Sequence, residues 1–390
     1  MRTERLYYDD AYLTEFEGRV EALRPDGWVA LDRSAFYPTS GGQPYDTGVL
    51  VCHGQALRVT DVEVEDGVVW HRTEGALSLG DPVVGRIDWP RRWDHIQQHG
   101  ADHLLAGACH ELFGGVTTGL HLGQENSTID MTLPEGRTHL TGQEVEALEE
   151  LVNRRVQQDD PIRCWFPGPE ELARLPLRKQ PTVADHVRVV AMGDYEMVPC
   201  GGTHPRSTGQ IGVIKVVSCT PARGKMRLCF VAGMRAVKLF RLAFQTAGDV
   251  AAALSAPLGE APAALSRERE AAQAQRKEAQ ERLTQAALAL LRLTRQGDLY
   301  AGHLPFADRD ALLRAASELT REPRAVALLS CPKQEGRMLI FARGKDAPQD
   351  MAQLLRQCGG RGGGKPDMAQ GSAPDGQALE TARRMALKTE

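Results

Sequence analysis

Short apolar runs broken by turn residues fill the first 90 positions. Trp28-Val29-Ala30-Leu31, Ala56 to Val64 and Val68-Val69-Trp70 are separated by Gly, Asp and Pro, and short strands at this spacing predict a small β-barrel. The segment FYPTSGGQPYDTG, residues 36–48, interrupts it; a Gly41-Gly42 pair and two prolines demand a tight, irregular loop. From Arg91 the period changes. RRWDHIQQHGADHLLAGACHELFG (91–114) reads as mostly helix, with Leu104, Leu105, Ala108 and Leu112 at helical spacing, Asp94 as a cap and Gly114-Gly115 as a stop. GLHLGQENSTIDMTL then reads as a hairpin-like pair of strands, and Gly142 to Gln158 as a polar-faced helix. Residues 160–235 mix short strands and loops. From 236 to about 295 the chain turns rich in Ala, Glu, Gln and Arg, which predicts long helix, a helical hairpin or a coiled coil. Residues 300–390 read as a small α/β unit, with candidate strands Val326 to Leu329 and Met338 to Phe341 and a glycine-rich stretch CGGRGGGKPDMAQG (358–371).

At 390 residues the chain is expected to form two or three domains, and 42% hydrophobic with 25% charged residues is ordinary for a globular protein. A formal net charge of −4 excludes a generally basic nucleic-acid binder, so RNA contact would need a local patch. Two candidates exist. Arg223, Lys225 and Arg227 alternate, which on a strand puts their charges on one face; the plainer reading is a solvated face. Arg361 and Lys365 sit among glycines, where backbone N–H groups and cations can together hold phosphate. The polar start MRTERLYYDDAY is not a signal peptide, and no apolar run reaches the roughly 20 residues of a membrane span, so a cytoplasmic location is expected. There the eight cysteines stay reduced, and a Cys close to a His reads as a metal ligand before a disulfide.

His99 and His103 are four apart and share one helix face; Cys200 and His204, in C-G-G-T-H, are brought together by a glycine turn. Three imidazoles and one thiolate make a tetrahedral set suited to a single zinc ion. His95, four before His99, and His110, seven after His103, compete for the same face, so spacing leaves the ligand choice open. A zinc site could supply hydroxide for ester hydrolysis or, with four protein ligands, be closed and structural or substrate-positioning. The absence of H-E-x-x-H argues against a zincin protease, and neither a nucleophile elbow nor a Walker-type phosphate loop is present.

Four motifs carry a resemblance to a known family: YPTSGGQPYDTG (37–48), HGADHLL (99–105), HLGQENSTID (121–130) and CGGTH (200–204). In this order they resemble the long form of the freestanding alanyl-tRNA editing proteins, themselves similar to the editing and C-terminal parts of alanyl-tRNA synthetase. The terminal glycine-rich stretch resembles that family's DHH-associated domain. The resemblance implies an α+β multidomain fold: an N-terminal β-barrel with the Gly-Gly-Gln loop (1–90), a two-layer α/β zinc-binding editing domain like that of threonyl-tRNA synthetase (91–236), a helical, coiled-coil-like linker (237–298) and a C-terminal α/β domain (299–390). With no class II catalytic core preceding these motifs, aminoacylation is not expected.

For the site, the resemblance implies zinc on His99, His103, Cys200 and His204, with His95 and His110 outside. It implies hydrolysis of the aminoacyl ester of Ser-tRNA(Ala), extending to Gly-tRNA(Ala). Gln124, Ser127 and Thr128 are implied as pocket residues, and Asp102, where the family often carries Thr or Glu, as a polar contact. Thr39, Gly41, Gly42 and Gln43 are expected to shape the pocket mouth near the RNA end. The expected partner is mischarged tRNA(Ala), and the helical and C-terminal regions are candidate homodimer contacts. Two rival readings are a non-catalytic tRNA-binding protein with a structural zinc, and a metallohydrolase of small esters or peptides.

Overall fold

A computed structural model describes residues 2–181 and 186–387. The chain divides into two compact units, Met1–Thr246 and Ala247–Glu390, with the boundary inside a helix.

In the first unit, β1 (Glu15–Arg24), β2 (Trp28–Leu31), β3 (Gly48–Cys52), β4 (Gln55–Glu65), β5 (Val68–Thr73) and β6 (Pro82–Ile87) close a barrel in the order β1-β2-β5-β4-β3-β6. Alternation along the strands sends Val20, Leu31, Leu50, Leu57, Val59, Val62 and Val69 into one core. Closure leaves no open sheet edge. The Gly-Gly-Gln loop leaves the barrel between β2 and β3. It is anchored by Asp46, whose carboxylate accepts from Tyr37 N at 2.7 Å and pairs with the fully buried Arg92.

Arg92 belongs to α1 (Trp89–Phe113). Asp88, not Asp94, caps this helix: its side chain accepts from Arg91 N at 3.4 Å, and Pro90 fits the first turn because no partner is needed for a nitrogen there. Asp94 lies one turn inside and binds Arg235. Gly114 ends the helix in the left-handed conformation (φ 66°). Behind α1 lies an antiparallel sheet, β12-β13-β8-β7, made of β7 (Val116–Leu122), β8 (Ser127–Thr132), β12 (Ile214–Ala222) and β13 (Lys225–Ala232). The amphipathic helix α2 (Gly142–Gln158), opened by a Thr141/Glu144 capping box, joins the same core. Leu104, Leu105 and Ala108 of α1 meet Ile129, Met131, Leu228 and Phe230 there. A second sheet, β9 (Ile162–Trp165), β10 (Val189–Met192) and β11 (Glu196–Pro199), carries Cys200 just past its last strand. Helix α1 is therefore buried over most of its circumference, from His95 to Cys109.

Helix α3 (Met234–Ala253) contains the unit boundary, and α4 (Ala261–Leu293) lies in the second unit. Every residue of α4 from Leu265 to Ala279 is exposed, the pattern of a solvated helix. A five-stranded mixed sheet follows, with strands β14 (Leu299–His303), β15 (Val326–Pro332), β16 (Arg337–Arg343), β17 (Arg361–Gly364) and β18 (Met368–Ala373) in the order β14-β15-β16-β18-β17. Only β14–β15 is parallel. Helices α5 (Arg309–Leu319), α6 (Met351–Gln357) and α7 (Gln377–Leu387) cover it. Neighbouring residues feed opposite faces: Leu329 and Ile340 join one core, Leu328 and Phe341 the other. The α+β multidomain architecture expected from the sequence is the observed one. Among the described residues no helix is long and apolar enough to cross a membrane.

Candidate metal centre

His99 and His103 project from one face of α1, and the β10–β11 hairpin delivers Cys200 to meet them. Val189 pairs with Pro199, which sets Arg188 opposite Cys200. Cys200 N donates to Arg188 O at 2.9 Å, and Arg188 Nη1 donates to the carbonyls of Cys200 (3.1 Å) and Gly202 (2.8 Å). This pins the turn that folds His204 back. Gly202 is required by space: a Cβ there would lie 2.1 Å from Cε1 of the His99 ring.

The ligand atoms of His99, His103, Cys200 and His204 all lie within 4.8 Å of one another. Cys200 Sγ is 3.3 Å from His99 Nε2 and 3.3 Å from His204 Nε2. Tetrahedral zinc with ordinary Zn–S and Zn–N bonds separates sulfur from nitrogen by about 3.6 Å. The donor chemistry fits as well: both ring nitrogens of His103, and Nδ1 of His204, are buried without a hydrogen-bond partner, which is costly unless something else binds there. The cluster selects among the histidines that spacing left open. His95 and His110 are outside it, and His110 Nδ1 lies 3.1 Å from Gly115 O at the end of α1.

Burial sets the protonation states. It lowers the His99 imidazole to about 3, with Arg188 and His95 adding to the effect, and holds His103 and His204 well below the usual histidine range. These rings are neutral, the form that binds metal. Burial also pushes the Cys200 thiol up to about 12, against the opposing pull of the Gly202 N–H and Arg188. A cation at the cluster reverses that preference and makes a thiolate of it. Asp102, one turn from His99, is driven up to about 7 by burial, and its Oδ1 has no hydrogen-bond partner.

Gln43 reaches the cluster from the barrel loop. The loop turns back on itself through paired Ser40 and Gln43 backbone bonds, and Gly42 O accepts from Leu122 N at 2.9 Å. A Cβ on Gly42 would meet Leu120 O at 2.3 Å, and its φ of +87° favours glycine besides. The buried Gln43 amide then holds two elements at once. Its Oε1 lies 2.9 Å from His99 Nδ1 and accepts from Thr203 N (3.1 Å), while its Nε2 donates to Thr203 Oγ1 (2.8 Å). An acceptor at Nδ1 puts the proton there and leaves the Nε2 lone pair for the metal. Thr203 carried no separate signal in the sequence beyond its place inside C-G-G-T-H.

The other expected site residues are more dispersed. Ser127 is fully buried and its hydroxyl has no hydrogen-bond partner. Strand alternation puts Thr128 on the opposite face of β8 from Ser127, half-buried and opposite His121 and Cys229. Gln124 is exposed in the connection between β7 and β8, next to Gly123, whose carbonyl accepts from Arg235. Thr39 and Gly41 are exposed on the barrel loop. The basic row is broken: Arg223 (φ 50°) sits in the turn before β13 rather than on the strand, because the hairpin reverses at Arg223-Gly224. Arg227 forms a two-bond ion pair with Asp130, at 2.7 and 2.8 Å. Lys225 is half-buried on β13. Arg361 and Lys365 are exposed along and just past the edge strand β17.

Cys200 also borders a cavity of about 800 Å³ that the sequence did not announce. Arg2, Arg5, Tyr8, Phe166 and Arg188 line it. They come from the N-terminal segment, the end of β9 and the start of β10, and only the fold brings them together.

Residues 9–91 match the family described as tRNA synthetases class II (A), a span that includes the barrel and Gln43. Residues 187–228, with Cys200 and His204, match the threonyl and alanyl tRNA synthetase second additional domain. Residues 300–389 match the DHHA1 domain. The chain is 31% identical over 402 residues to an alanine–tRNA ligase of Methanothrix thermoacetophila, covering 98% of this chain and 44% of that protein. It is 32% identical to one of Pyrococcus abyssi (96% and 42%) and 34% identical to one of Pyrobaculum neutrophilum (99% and 44%). The chain thus spans less than half the length of these relatives. A crystal structure of the C-Ala domain from Aquifex aeolicus alanyl-tRNA synthetase aligns at 21% identity with a TM-score of 0.22, over 23% of this chain and 87% of that one. In sequence and domain order the chain is similar to the editing-type and C-terminal regions of these alanine–tRNA ligases.

Proposed function

We propose that this alanyl-tRNA-synthetase-like chain is a deacylase that hydrolyses the ester of Ser-tRNA(Ala), and of Gly-tRNA(Ala), in a pocket built on one zinc ion. The observation that carries the reading is the buried cluster of three imidazoles and a thiol, with the Asp102 carboxyl oxygen beside it lacking any hydrogen-bond partner. His99, His103, Cys200 and His204 would hold the metal, and zinc there would supply Lewis-acid chemistry toward the substrate's amino or carbonyl group through an expanded, five-coordinate shell. An aminoacyl ester is already activated, so orientation and a few fixed donors are sufficient for hydrolysis.

The residues around the cluster supply discrimination. Asp102 and Ser127 are assigned to the substrate side chain because both bury polar atoms that no protein group satisfies. A seryl hydroxyl would satisfy them, as would a water in the space a glycyl ester leaves; an alanyl methyl would fill that space and leave them unpaired, at about 1–3 kcal/mol for each group. Gln124 and Thr128 are assigned to the pocket margin, with Thr39, Gly41 and Gly42 at its mouth. Gln43 is assigned a positioning role, since its amide is engaged by His99 and Thr203. Lys225 and Arg223, and in the second unit Arg361 and Lys365, are the cations offered to RNA phosphate. Arg227 joins them only if its pair with Asp130 opens.

Incubation with Ser-, Gly- and Ala-tRNA(Ala) tests the reading: seryl ester should be lost well above the buffer rate while alanyl ester survives, and Cys200→Ala should lower bound zinc and deacylation together. One observation favours a second reading. Four protein donors fill a tetrahedral shell, the mark of a structural zinc in a tRNA-binding protein. Loss of seryl ester no faster than the buffer control would select that reading.

A further inference from the structure

A second set of metal-binding side chains sits on the barrel, made of residues that the cluster on α1 does not use. Cys52 ends β3, and His53-Gly54 is the two-residue turn into β4. Cys52 pairs with Gln55 across it, so the hairpin is as tight as this connection allows. Both turn residues are left-handed, His53 at φ 48° and Gly54 at φ 80°. Asn-Gly is the sequence such a turn favours, so the backbone does not demand an imidazole at its first position. Asp81 comes from another part of the chain. It precedes β6, and the pairing of β6 with β3, Val84 opposite Val51, carries its carboxylate to the turn. Asp81 is fixed there: its carbonyl accepts from Val20 N at 3.0 Å and its Oδ2 from Ser78 N at 2.7 Å.

The other carboxylate oxygen, Oδ1, lies 3.7 Å from His53 Nε2. That is too long for a hydrogen bond and close to the roughly 3.4 Å between nitrogen and oxygen ligands of one tetrahedral zinc ion. Cys52 Sγ completes the set: one donor atom from each of Cys52, His53 and Asp81 lies within 4.8 Å of the other two. The three are graded in exposure. Cys52 is buried, while the side chains of Asp81 and His53 are 22% and 74% exposed, so an ion can enter from solvent and rest against the barrel wall. Among the described residues no Lys or Arg is paired with the Asp81 carboxylate, and the place of a cation is open. Burial, and then Asp81, raise the Cys52 thiol; a bound cation reverses that preference and leaves a thiolate.

We infer that Cys52, His53 and Asp81 form a second metal site, which binds one zinc-type divalent ion and leaves its fourth position to water. The donor set fixes the class of ion: a thiolate and an imidazole favour zinc or cobalt over magnesium and calcium, which take oxygen ligands. Three protein ligands instead of four, two of them open to solvent, make this the weaker of the two sites. The ion ties the β3–β4 turn to the segment entering β6, so it stabilises the folded barrel by mass action. None of the residues assigned to the aminoacyl ester takes part, and the site stands whether or not the chain is a hydrolase.

Titration of the full chain with cobalt(II), followed by the near-ultraviolet absorption of thiolate bound to cobalt, tests the inference. Each site offers one thiolate, so the protein should take up two equivalents, in a tight phase and a weaker one. His53→Asn should weaken the second phase by roughly tenfold or more, since losing even an outer-shell partner costs that much, and leave the first unchanged. This variant keeps the hairpin, because Asn-Gly suits the turn. Cys52→Ser should abolish the thiolate band of the second phase, and Asp81→Asn should weaken that phase as His53→Asn does. Cys200→Ala should remove the band of the first phase and spare the second. A single equivalent in the parent protein, or a second phase that persists unchanged in both His53→Asn and Cys52→Ser, would overturn the assignment.

Discussion

Replacing Gln43 probes the link between the barrel and the metal cluster directly. Gln43→Met keeps the side-chain volume but removes the acceptor for His99 Nδ1 (2.9 Å) and Thr203 N (3.1 Å), and the donor to Thr203 Oγ1 (2.8 Å). Without the acceptor at Nδ1 the His99 proton has no preferred nitrogen, and the tautomer with Nε2 free is no longer enforced. Losing such an outer-shell partner costs 10–100-fold in metal affinity, about 1.4–2.7 kcal/mol. The Thr203 N–H, buried and now unpaired, costs about 1–3 kcal/mol of stability even without metal. Gln43→Glu separates the two effects. It keeps the acceptor, adds negative charge behind a ring that faces a cation, and lets the Thr203 hydroxyl rotate to become the donor. Titration of zinc against a chromophoric chelator near neutral pH should show weakened binding in the Met variant and affinity at or above that of the parent protein in the Glu variant. Unchanged zinc affinity in Gln43→Met would refute the reasoning, because His99 would then need no partner to present Nε2.

Two further outcomes follow from the geometry. Gly202→Ala should lower zinc affinity by roughly tenfold or more, since its Cβ would displace the His99 ring; Gly201→Ala, with its nearest neighbour Tyr8 Oη at 3.4 Å, should not, and zinc analysis of both variants checks the contrast. His71, fully buried in the barrel between Ser34 Oγ (2.7 Å) and Val29 O (3.2 Å), is lowered to about 4 by burial. Because the unfolded chain takes up this proton first, stability is lost as pH falls from about 6.5 toward 4, by about 3 kcal/mol in all. Denaturant melts over that range should show a shallower pH slope in His71→Gln, by up to ~1.4 kcal/mol per pH unit, and an unchanged slope would remove His71 from the account.

Local pattern determined much of this protein. Alternating apolar runs specified the barrel strands, and the period of Leu104, Leu105 and Ala108 specified α1, because strand and helix register depend on neighbours in the chain. The spacing of His99 with His103, and of Cys200 with His204, marked both halves of the cluster. The sequence pointed to Asp94 as the helix cap; Arg235, 141 residues beyond it, draws Asp94 away from that role, and Asp88 takes it. Ser127 and Thr128, both expected in the pocket, lie on opposite faces of β8, and which face meets α1 depends on how the sheet packs. Four histidines on one helix remained equivalent until the β10–β11 hairpin delivered Cys200 to two of them. The fold alone joined Gln43 to His99 across 56 positions and closed the cavity of Arg2, Tyr8 and Phe166 around Cys200. Such contacts carry no local periodicity. They exist because closing the barrel and burying α1 bring distant chain segments to one place.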